Sequence, residues 1–360
     1  MPNRQSLFVF GKNWIAVSCI IRKTPDNKVH FFVIRHSGLF HTAVLPEWSG
    51  GMEKEKYVVA ITTCNRLTLL KKCIRCASCQ TVLPEKIIIV DNASDDGTGE
   101  YLAHGIAEEE FYLGKDRYEI VHCPKNIGGA GGFREGVRRA ADLKTDWVIL
   151  IDDDAMLQPD YARLLLREAV QGWQVLAGTV RTDGAVDSFH RRNITRHGLF
   201  PRPIGLEAYS RRFFLCDVAS FCGVMIDTAL VECVGLPEQD YFIYHDDTEY
   251  LLRFLRMGVR TIVVTDAVLD HETHVTDQKK PRRYTWKDYY AIRNRLWYVS
   301  KYGSKADVLW NRLDIWVRVI FRNRLFGLLR RDGYDWKYEC ETGRRAVRDA
   351  KVRITGEKDC

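Results

Sequence analysis

The sequence has no apolar run that could span a membrane. Across its 360 residues, no window approaches the roughly 18 uninterrupted apolar residues that a spanning helix needs. No signal peptide is visible, because the apolar stretch 7–21 is interrupted by Lys12 and lacks a basic segment before a clean apolar block. A Walker loop is absent, and a Gly-x-Gly-x-x-Gly pattern counted from Gly129 fails at Arg134. These absences predict a cytoplasmic protein without either nucleotide-binding loop.

Cysteine is present but gives no sign of a disulfide framework. The 11 cysteines are an odd number, scattered through predicted strands and helices, which suits reduced thiols in the cytosol. Cys73, Cys76 and Cys79 are spaced tightly enough for zinc, but a fourth ligand at suitable spacing is missing. Because they fall at i, i+3 and i+6 of a predicted helix, we favour small buried residues over a zinc site.

Neither sign of charge dominates the whole chain, but the positive excess lies at the C-terminal end. The formal net charge is +7, whereas residues 281–360 hold 20 Lys+Arg and 10 Asp+Glu, so that segment is 20 − 10 = +10 and the rest is 7 − 10 = −3. An anionic membrane surface, a nucleic acid or an anionic substrate would each suit such a segment. No nucleic-acid motif appears, so we expect no nucleic-acid partner.

The order of hydrophobic segments predicts an α/β fold with a doubly wound, mostly parallel sheet. Between residues 57 and 151, four short apolar strands alternate with helices. The predicted strands are Tyr57–Thr62, Lys86–Val90, Glu119–His122 and Trp147–Ile151, and the predicted helices are Leu67–Ala77, one capped by Ser94 or Asp95, and Gly129–Ala141.

Three domains are predicted. Residues 1–52 form a β-rich segment with a hairpin, residues 53–280 form the main α/β domain, and residues 281–360 form a basic helical region. The remaining predicted strands are Gln174–Val180, Phe214–Ile226 and Thr261–Val264, and the remaining predicted helices are Asp246–Met257, 285–302 and 305–331.

Three consecutive aspartates, Asp152, Asp153 and Asp154, directly follow the apolar strand 147–151. Adjacent carboxylates repel each other and are costly to bury without a counter-charge. Ligands bind at the C-terminal edge of an open α/β sheet, and Mg²⁺ or Mn²⁺ takes oxygen ligands shared with substrate phosphates. A solvated acidic loop is the alternative, but the position after a buried strand favours a divalent cation.

Other polar groups also stand at strand ends or helix starts. Asp91 suits hydrogen bonds from a nucleobase or ribose, and Asn126 opens a glycine-rich entry to a helix, where a backbone can approach an anion. The acidic cluster 245–249 opens another helix, although acidic residues there also suit the helix dipole. His271 follows a further apolar run. Alone, each of these has an ordinary structural explanation.

Together, these motifs resemble the nucleotide-sugar-dependent inverting glycosyltransferases of family 2, which have the GT-A fold. Within that family they look most like the bacterial galactofuranosyltransferases and their rhamnosyltransferase relatives. The resemblance covers residues 57–298 and rests on order and spacing. Its motifs are Thr62-Thr63-Cys64-Asn65-Arg66, Asp91-Asn92, Asn126 with Gly-Gly-Ala-Gly-Gly-Phe, Asp152–Asp154, Asp246-Asp247-Thr248-Glu249, His271, and Tyr289-Tyr290 with Arg293-Asn294.

The resemblance implies a role for each matching residue. His245 departs from the pattern, since galactofuranosyltransferases often have Trp at that position. The implied roles are nucleotide-sugar binding by Thr63, Arg66, Asp91, Asn126, Gly129 and Asp153, metal binding by Asp152, Asp154 and His271, base catalysis by Asp247, and acceptor placement by Asp246 and Glu249.

The resemblance implies metal-dependent, inverting transfer of galactofuranose from UDP-galactofuranose to a growing cell-surface polysaccharide such as O-antigen, capsule or cell-wall galactan. A carboxylate base that deprotonates the acceptor opposite the leaving diphosphate is consistent with inversion. A rhamnosyltransferase using dTDP-rhamnose is the nearer alternative, and a non-catalytic nucleotide-binding protein is the remoter one. A lipid-linked acceptor at the inner face of the membrane would suit the Trp- and Arg-rich helix 305–331. Packing against the catalytic domain or contact in a homo-oligomer would suit that helix as well.

Overall fold

The N-terminal segment contains a small antiparallel sheet. The computed structural model describes residues 18–23, 29–34, 41–43, 56–272, 284–321, 324–325 and 336–352. The first three ranges are β1 (Ser18–Lys23), β2 (Val29–Ile34) and β3 (His41–Ala43), which pair in that order. The predicted hairpin is confirmed by the β1–β2 pairing, and its turn lies outside the described residues. The division into domains at 52 and 280 stays a prediction.

The main sheet has ten strands, eight of them on one path. The strands that follow β3 are β4 (Tyr57–Thr63), β5 (Lys86–Asp91), β6 (Tyr118–His122), β7 (Trp147–Asp152), β8 (Ala155–Leu157), β9 (Val175–Thr182), β10 (Ala185–Val186), β11 (Arg191–Ile194), β12 (Pro201–Pro203), β13 (Phe213–Cys216), β14 (Val218–Ala219), β15 (Val224–Asp227) and β16 (Thr261–His271). The path runs β13-β16-β9-β15-β7-β4-β5-β6, with β10 on β9 and β8 on β16. Strands β11, β12 and β14 form a separate small sheet.

The pairing is parallel in two blocks joined by one antiparallel strand. Strands β7, β4, β5 and β6 are parallel neighbours, as are β9 and β16. Strand β15 lies between the blocks and is antiparallel to both β7 and β9. The predicted α/β class with a mostly parallel central sheet is therefore confirmed.

Helices cover both faces of the sheet, because the central strands are apolar on both sides and every residue of β4 is buried. One face packs against α1 and α4 and the other against α3, α5 and α6. This is the doubly wound arrangement that the sequence predicted. The helices are α1 (Leu67–Ser78), α2 (Thr98–Ala103), α3 (Gly128–Asp142), α4 (Tyr161–Ala169), α5 (Thr228–Val234), α6 (Asp246–Arg256), α7 (Trp286–Tyr302), α8 (Lys305–Ile315) and α9 (Trp336–Val352).

Two local predictions are wrong. Neither Ser94 nor Asp95 caps α2, which begins later, after Gly97 at φ +90°, a conformation that favours glycine. The predicted strand Phe214–Ile226 is three strands, β13, β14 and β15, because Gly223 at φ +79° breaks the run and β14 pairs in the small sheet.

The C-terminal helices are also more broken than the sequence suggests. The predicted helix 305–331 ends as an α-helix at Ile315 and continues as a π-helical turn, Trp316–Phe321. Most of the remainder of that prediction lies outside the described residues. Within the ranges that the structure covers, no helix is both long and apolar enough to cross a bilayer.

Candidate active site

Polar residues meet at one edge of the sheet, where β4, β5, β7 and β16 end. Thr63 pairs with Asp91 across β4 and β5, and the last residue of β7, Asp152, lies opposite β4 on the other side. Strand β16 ends at His271, which pairs with the first residue of β8, directly after the aspartate triplet. The fold therefore gathers Thr63, Asp91, the triplet and His271 at the carboxyl edge of the parallel strands.

Asp153 is buried beneath this edge and is held by two donors. Thr63 Oγ1 donates to its Oδ2 at 2.7 Å, and Arg66 Nη1 donates to its Oδ1 at 3.0 Å. Burial raises the pKa of Asp153 to about 6, although the Arg66 charge and the Thr63 hydrogen bond oppose that rise. Asp153 therefore fixes Arg66 over the strand ends, and its direct contact with a nucleotide-sugar stays a prediction.

Asp154 is shared between two cationic groups. Arg66 Nη1 lies 2.6 Å from its Oδ2, and His271 Nε2 lies 3.2 Å from its Oδ1. Burial alone would raise the pKa of Asp154, but His271 and Arg66 outweigh it and lower the pKa. Asp154, followed by the charges of Asp152 and Asp187, raises the pKa of His271 against the effect of its burial. Asp154 is thus an ionised carboxylate with an imidazole beside it.

The donor set at this point suits a divalent cation in part. Two ligands at right angles on an octahedral ion of Mg²⁺ size lie about 3.0 Å apart, close to the 3.2 Å between Asp154 Oδ1 and His271 Nε2. Burial, followed by the charges of Asp154 and Asp153, raises the pKa of Asp152, which is the like-charge conflict that a cation would relieve. Within the described ranges, no three such groups already converge on one point. The donor atoms of this site suit a divalent cation, and the spacing of Asp154 and His271 suits it best.

The cysteine cluster lies behind the triplet. Cys73 is buried, with its Sγ 3.6 Å from the carbonyl oxygen of Asp152 and 3.5 Å from that of Ala155. Cys76 is half-buried and Cys79 is exposed. Cys73 is therefore a small buried residue that supports the turn carrying the aspartates.

Asp91 is buried and faces an exposed histidine. Its Oδ1 accepts the backbone N–H of Ser94, and its Oδ2 lies 3.0 Å from His122 Nδ1. A carboxylate beside an imidazole at a strand end can accept or share hydrogen bonds with a nucleobase. This is compatible with the base-recognition role that the resemblance implies.

The glycine-rich entry to α3 is anchored by amides. Buried Asn92 donates to Asn126 Oδ1 and to the carbonyl of Gly128, both at 3.0 Å, and accepts from the backbone of Ile127. Asn126 Oδ1 in turn accepts the N–H of Gly128 at 2.8 Å. Asn126 thus shapes the loop, and its contact with a nucleotide-sugar stays a prediction.

The glycines of this loop differ in purpose. Gly128 has φ +74°, and a Cβ there would lie 2.1 Å from the carbonyl oxygen of Phe242; a Cβ at Gly132 would lie 2.2 Å from Thr62 Cγ2. Packing therefore explains both. A Cβ at Gly129 would meet nothing within 4 Å, so open space lies beside the residue assigned to the nucleotide-sugar.

The acid pair opens α6. Asp247 Oδ2 accepts from Arg192 Nη2 at 2.7 Å, and its Oδ1 accepts from the backbone and hydroxyl of Thr248. Burial would raise the pKa of Asp247, but the charge of Arg192 and the hydrogen bonds from Thr248 lower it. Asp247 is thus held ionised in one orientation.

The pKa of Asp246 shifts in the opposite direction from that of Asp247. Burial, followed by the charge of Asp247, raises its pKa to about 7. Asp246 also contributes to the raised pKa of Asp152. The segment 190–192 joins the two clusters in space, because His190 packs against His271 at 4.9 Å between ring centroids and Arg192 contacts Asp247 at 2.7 Å.

The loop before α6 is fixed by the motif on α7. Buried Asn294 donates from Nδ2 to the carbonyls of Tyr241, Ile243 and Tyr244, each at 2.8 Å. Arg293 donates to the carbonyl of Asp240 at 2.7 Å. The Arg-Asn pair thus positions the turn from which the acid pair starts.

Glu249 is not at the site surface. Its side chain is fully buried, and it binds Arg253 through three contacts, Lys301 at 2.8 Å, and the hydroxyl of Tyr302. Those cations lower the pKa of Glu249 against its burial. Its geometry supports anchoring of α6 to α7, and gives no support to the acceptor contact that the resemblance implied.

Four neighbouring residues received no role from the sequence. Asn92 and His122 lie on the strand ends already described. His190 packs its ring edge-on against His271 at 4.9 Å between centroids, and Arg192 holds Asp247. The last two lie in the segment between β10 and β12, where no motif marks them.

The geometry agrees with comparisons to known proteins. The family described as Glycosyl transferase family 2 matches residues 58–235, the segment that carries most of the strand edge. These residues form a family 2 glycosyltransferase domain. The protein is a glycosyltransferase, and the expectation of this enzyme class is confirmed.

The named relatives include transferases for two different sugars. The galactofuranosyltransferase GlfT1 of Mycobacterium tuberculosis is 27% identical over 268 residues, covering 70% of this chain and 84% of that protein. The dTDP-rhamnosyl transferase RfbF of Shigella flexneri is 22% identical over 214 residues, covering 58% and 68%. Both groups were expected from the motifs.

Solved structures confirm the GT-A type of fold. A structure of GalNAc-T7 with UDP, GalNAc and Mn²⁺ matches with a TM-score of 0.56 at 11% identity, over 84% of this glycosyltransferase and 57% of that chain. The mannosyltransferase PcManGT of Pyrobaculum calidifontis, in complex with GDP-Man and Mn²⁺, matches with a TM-score of 0.50 at 15% identity, over 84% and 77%. At such identities the likeness concerns the fold.

Proposed function

We propose that this glycosyltransferase is a metal-dependent, inverting galactofuranosyltransferase, which moves galactofuranose from UDP-galactofuranose to a growing cell-surface polysaccharide. The observation that carries the proposal is the closeness of two acidic clusters. The segment 190–192 links them: His190 packs against His271 beside the triplet, at 4.9 Å between ring centroids, and Arg192 contacts Asp247 of the acid pair at 2.7 Å. The aspartate triplet suits a cation that binds the donor diphosphate, and the acid pair suits deprotonation of an acceptor hydroxyl.

The strand ends, which we call the donor edge, bind the nucleotide-sugar. The donor edge comprises Thr63, Arg66, Asp91, the aspartate triplet and His271. Asp91 accepts hydrogen bonds from the uracil, and the open space beside Gly129 admits the nucleotide. Arg66, anchored by Asp153 and Asp154, places positive charge at the diphosphate.

The cation belongs to Asp152, Asp154 and His271. Mn²⁺ or Mg²⁺ would neutralise the leaving diphosphate as a Lewis acid. Asp154 Oδ1 lies 3.2 Å from His271 Nε2, and a cation bound by both would displace the proton that the two groups otherwise share. Manganese in two structural neighbours is consistent with a divalent ion, and the preferred metal is a matter for the test below.

The start of α6 and the small sheet, which we call the acceptor side, supply the base. Asp247 takes the proton from the attacking hydroxyl as the sugar carbon inverts, in line with the resemblance. Its Thr248 and Arg192 contacts fix its orientation. Asp246, with a pKa of about 7, is the competing candidate, because a base works best near the working pH.

The sugar is assigned through the relatives. GlfT1 covers more of this chain, at higher identity, than RfbF does, and we therefore favour galactofuranose. Transfer of rhamnose from dTDP-rhamnose is the second candidate, and the RfbF similarity is the observation that favours it.

A donor panel tests the assignment. The enzyme is incubated with Mn²⁺ or Mg²⁺, a synthetic or lipid-linked glycan acceptor, and one nucleotide-sugar at a time, and released nucleoside diphosphate is measured. We expect UDP release from UDP-galactofuranose and inverted anomeric configuration in the product. If nucleoside diphosphate were released from dTDP-rhamnose alone, the donor sugar would be rhamnose and not galactofuranose. If nucleotide-sugars were bound but none released its nucleoside diphosphate, the protein would not be a transferase for these donors.

We also propose that the acceptor is lipid-linked and that α8 rests on an anionic membrane surface. Most large apolar side chains of this region are solvent-exposed, while the buried side is the narrow row Asn311, Ile315 and Val319. The exposed large apolar side chains of this region are Leu309, Trp310, Leu313, Trp316, Val317, Phe321 and Leu325. Exposed Lys305, Arg312 and Arg318 lie among them, a mixture typical of interfacial helices.

The membrane surface is linked to the acceptor side through one loop. Asn311 Nδ2 donates to the carbonyl of Gly198 at 2.8 Å, and Asp307 Oδ1 accepts its N–H at 2.6 Å. This loop joins β11 and β12 of the small sheet, and β11 carries Arg192. A lipid anchor resting beside α8 would therefore keep its sugar near Asp247.

Vesicle sedimentation tests this surface. Trp310→Ser with Trp316→Ser should lower the fraction bound to anionic vesicles, whereas Phe189→Ser, which removes a 74% exposed aromatic elsewhere, should not. Equal binding by all forms would contradict the proposal. So would dimerisation through this face, seen as a change of mass on the double substitution.

A further inference from the structure

Arg192 reaches from the small sheet to the catalytic helix. It lies on β11, where it pairs with Val218 of β14 and Pro203 of β12. Its Nη2 is 2.7 Å from Asp247 Oδ2, and the two side chains are only 15% and 16% exposed. An ion pair at this depth is not a surface contact, because removing one partner leaves a charge that water screens poorly.

The contact fixes the Asp247 carboxylate, whereas Asp246, the other member of the acid pair, has different partners. Arg192 takes one oxygen of Asp247, and Thr248 takes the second. Asp246 has no such cation in contact among the ion pairs of the described residues. Two adjacent carboxylates with unlike partners are a recurring way to separate two roles.

Other charged or titratable groups surround Asp247 but do not replace Arg192. His245, on the same turn, is buried, and burial lowers its pKa to about 4, so it is neutral at ordinary pH. On α7, Arg295 is engaged with Asn311 at 2.6 Å and Asp314 at 2.7 Å. Tyr298, on the same helix, donates to the carbonyl of Leu199. Arg192 is thus the cation in direct contact with Asp247.

We infer that Arg192 is a positioning residue for the base: it holds the Asp247 carboxylate in one orientation and supplies the positive charge beside it. The inference rests on the proposed function. In the transfer step, the acceptor oxygen bonds to the anomeric carbon, the bond from that carbon to the diphosphate breaks, UDP leaves, and the hydroxyl proton passes to Asp247. Arg192 touches neither substrate in this scheme, so its removal should alter the base rather than donor binding.

The test is a pH profile of transfer for Arg192→Met and Arg192→Lys. Arg192 lowers the pKa of Asp247, so its removal raises that pKa, and the acidic limb of kcat/KM should move to higher pH. We expect kcat to fall about 10²-fold for the Met variant, with the KM for the donor unchanged. Lys keeps the charge without the planar fork, so it should restore the limb but only part of kcat.

Arg260→Met is the matched control. Arg260, directly before β16, binds Asp217, between β13 and β14, at 2.9 Å, and forms no ion pair with Asp246 or Asp247 among the described residues. It should leave the acidic limb in place. An unchanged limb in Arg192→Met, or an equal change in Arg260→Met, would overturn the inference and reduce Arg192 to a structural contact.

Thermal unfolding separates this outcome from failure of the proposed function. Arg192→Met, Asp247→Asn and the double variant form a cycle that needs no activity. If the wild type releases no nucleoside diphosphate from any donor, the proposed function fails, while coupling in the cycle still reports the ion pair. If the cycle showed coupling between Arg192 and Asp247 but Arg192→Met kept the wild-type pH profile, Arg192 would stabilise the fold without positioning a base.

Discussion

The donor edge and the acceptor side are built in different ways. The donor edge is made of the carboxyl ends of strands in the main sheet, where neighbouring strands set residues opposite each other, such as Thr63 and Asp91. The acceptor side joins a helix start, Asp246 and Asp247, to a residue of a separate sheet, Arg192. The first is a feature of the fold that neighbouring strands share, whereas the second depends on a contact between remote segments.

The two regions also balance charge differently. At the donor edge Asp153 and Asp154 share Arg66, and Asp154 also contacts His271, while Asp152 adds a third carboxylate, so the site retains an excess of negative charge that a cation would offset. At the acceptor side Asp247 has its own guanidinium. One cluster is therefore suited to bind an added ion and the other to stay ionised without one.

Removal of divalent cations should have the largest effect and should strike the donor edge first. We expect chelation to reduce UDP release to background and Mn²⁺ or Mg²⁺ to restore it. Asp154→Asn should reduce release by about 10³-fold, since the loss of a Lewis acid costs several kcal/mol. If the enzyme stayed fully active after chelation, with metal analysis showing that the protein held no cation, the donor edge would need a bound cation no more than the acceptor side does.

Substitution in the acid pair should separate chemistry from binding. Asp247→Asn should lower kcat by about 10²–10⁴-fold, the range for loss of a general base, with donor affinity preserved. Asp246→Asn should be the milder change and should alter the KM for the acceptor. Single-turnover kinetics measure both, and a larger loss of kcat in Asp246→Asn would transfer the base assignment to Asp246.

Glu249 should affect stability rather than catalysis. Glu249→Gln leaves Arg253 and Lys301 without their buried carboxylate and should cost about 3 kcal/mol of unfolding free energy. Denaturant unfolding measures this, with Glu238→Gln, a more exposed partner of the same cations, as a control that costs less than about 1 kcal/mol. If Glu249→Gln had normal stability and a raised KM for the acceptor, Glu249 would instead have the acceptor-placing role that the resemblance implies.

The glycines of the donor loop should show the smallest effects. Gly128→Ala places a Cβ against the Phe242 carbonyl at positive φ and should cost about 1–3 kcal/mol. Gly129→Ala faces open space and should change stability by less than about 0.5 kcal/mol, while raising the KM for the donor. Thermal unfolding and donor kinetics together check this pair, and equal destabilisation would contradict the difference assigned to them.

The sequence predicts the donor edge better than the acceptor side for a physical reason. Apolar strands such as β4 and β7 are readable from composition, and the residues after them must lie at a common edge. The boundaries of α2 and of β13 to β15 depend on glycines at positive φ, Gly97 and Gly223, and were misplaced. Arg192 and His190 act across long chain distances, and no local pattern could have found them.

Affinity for UDP with Mn²⁺, measured by calorimetry on wild type, Asp154→Asn and Asp247→Asn, tests whether the two clusters serve different substrates. We expect wild-type UDP binding by Asp247→Asn, together with lost transfer, and strongly weakened binding by Asp154→Asn. Weakened binding by Asp247→Asn, with intact binding by Asp154→Asn, would contradict it.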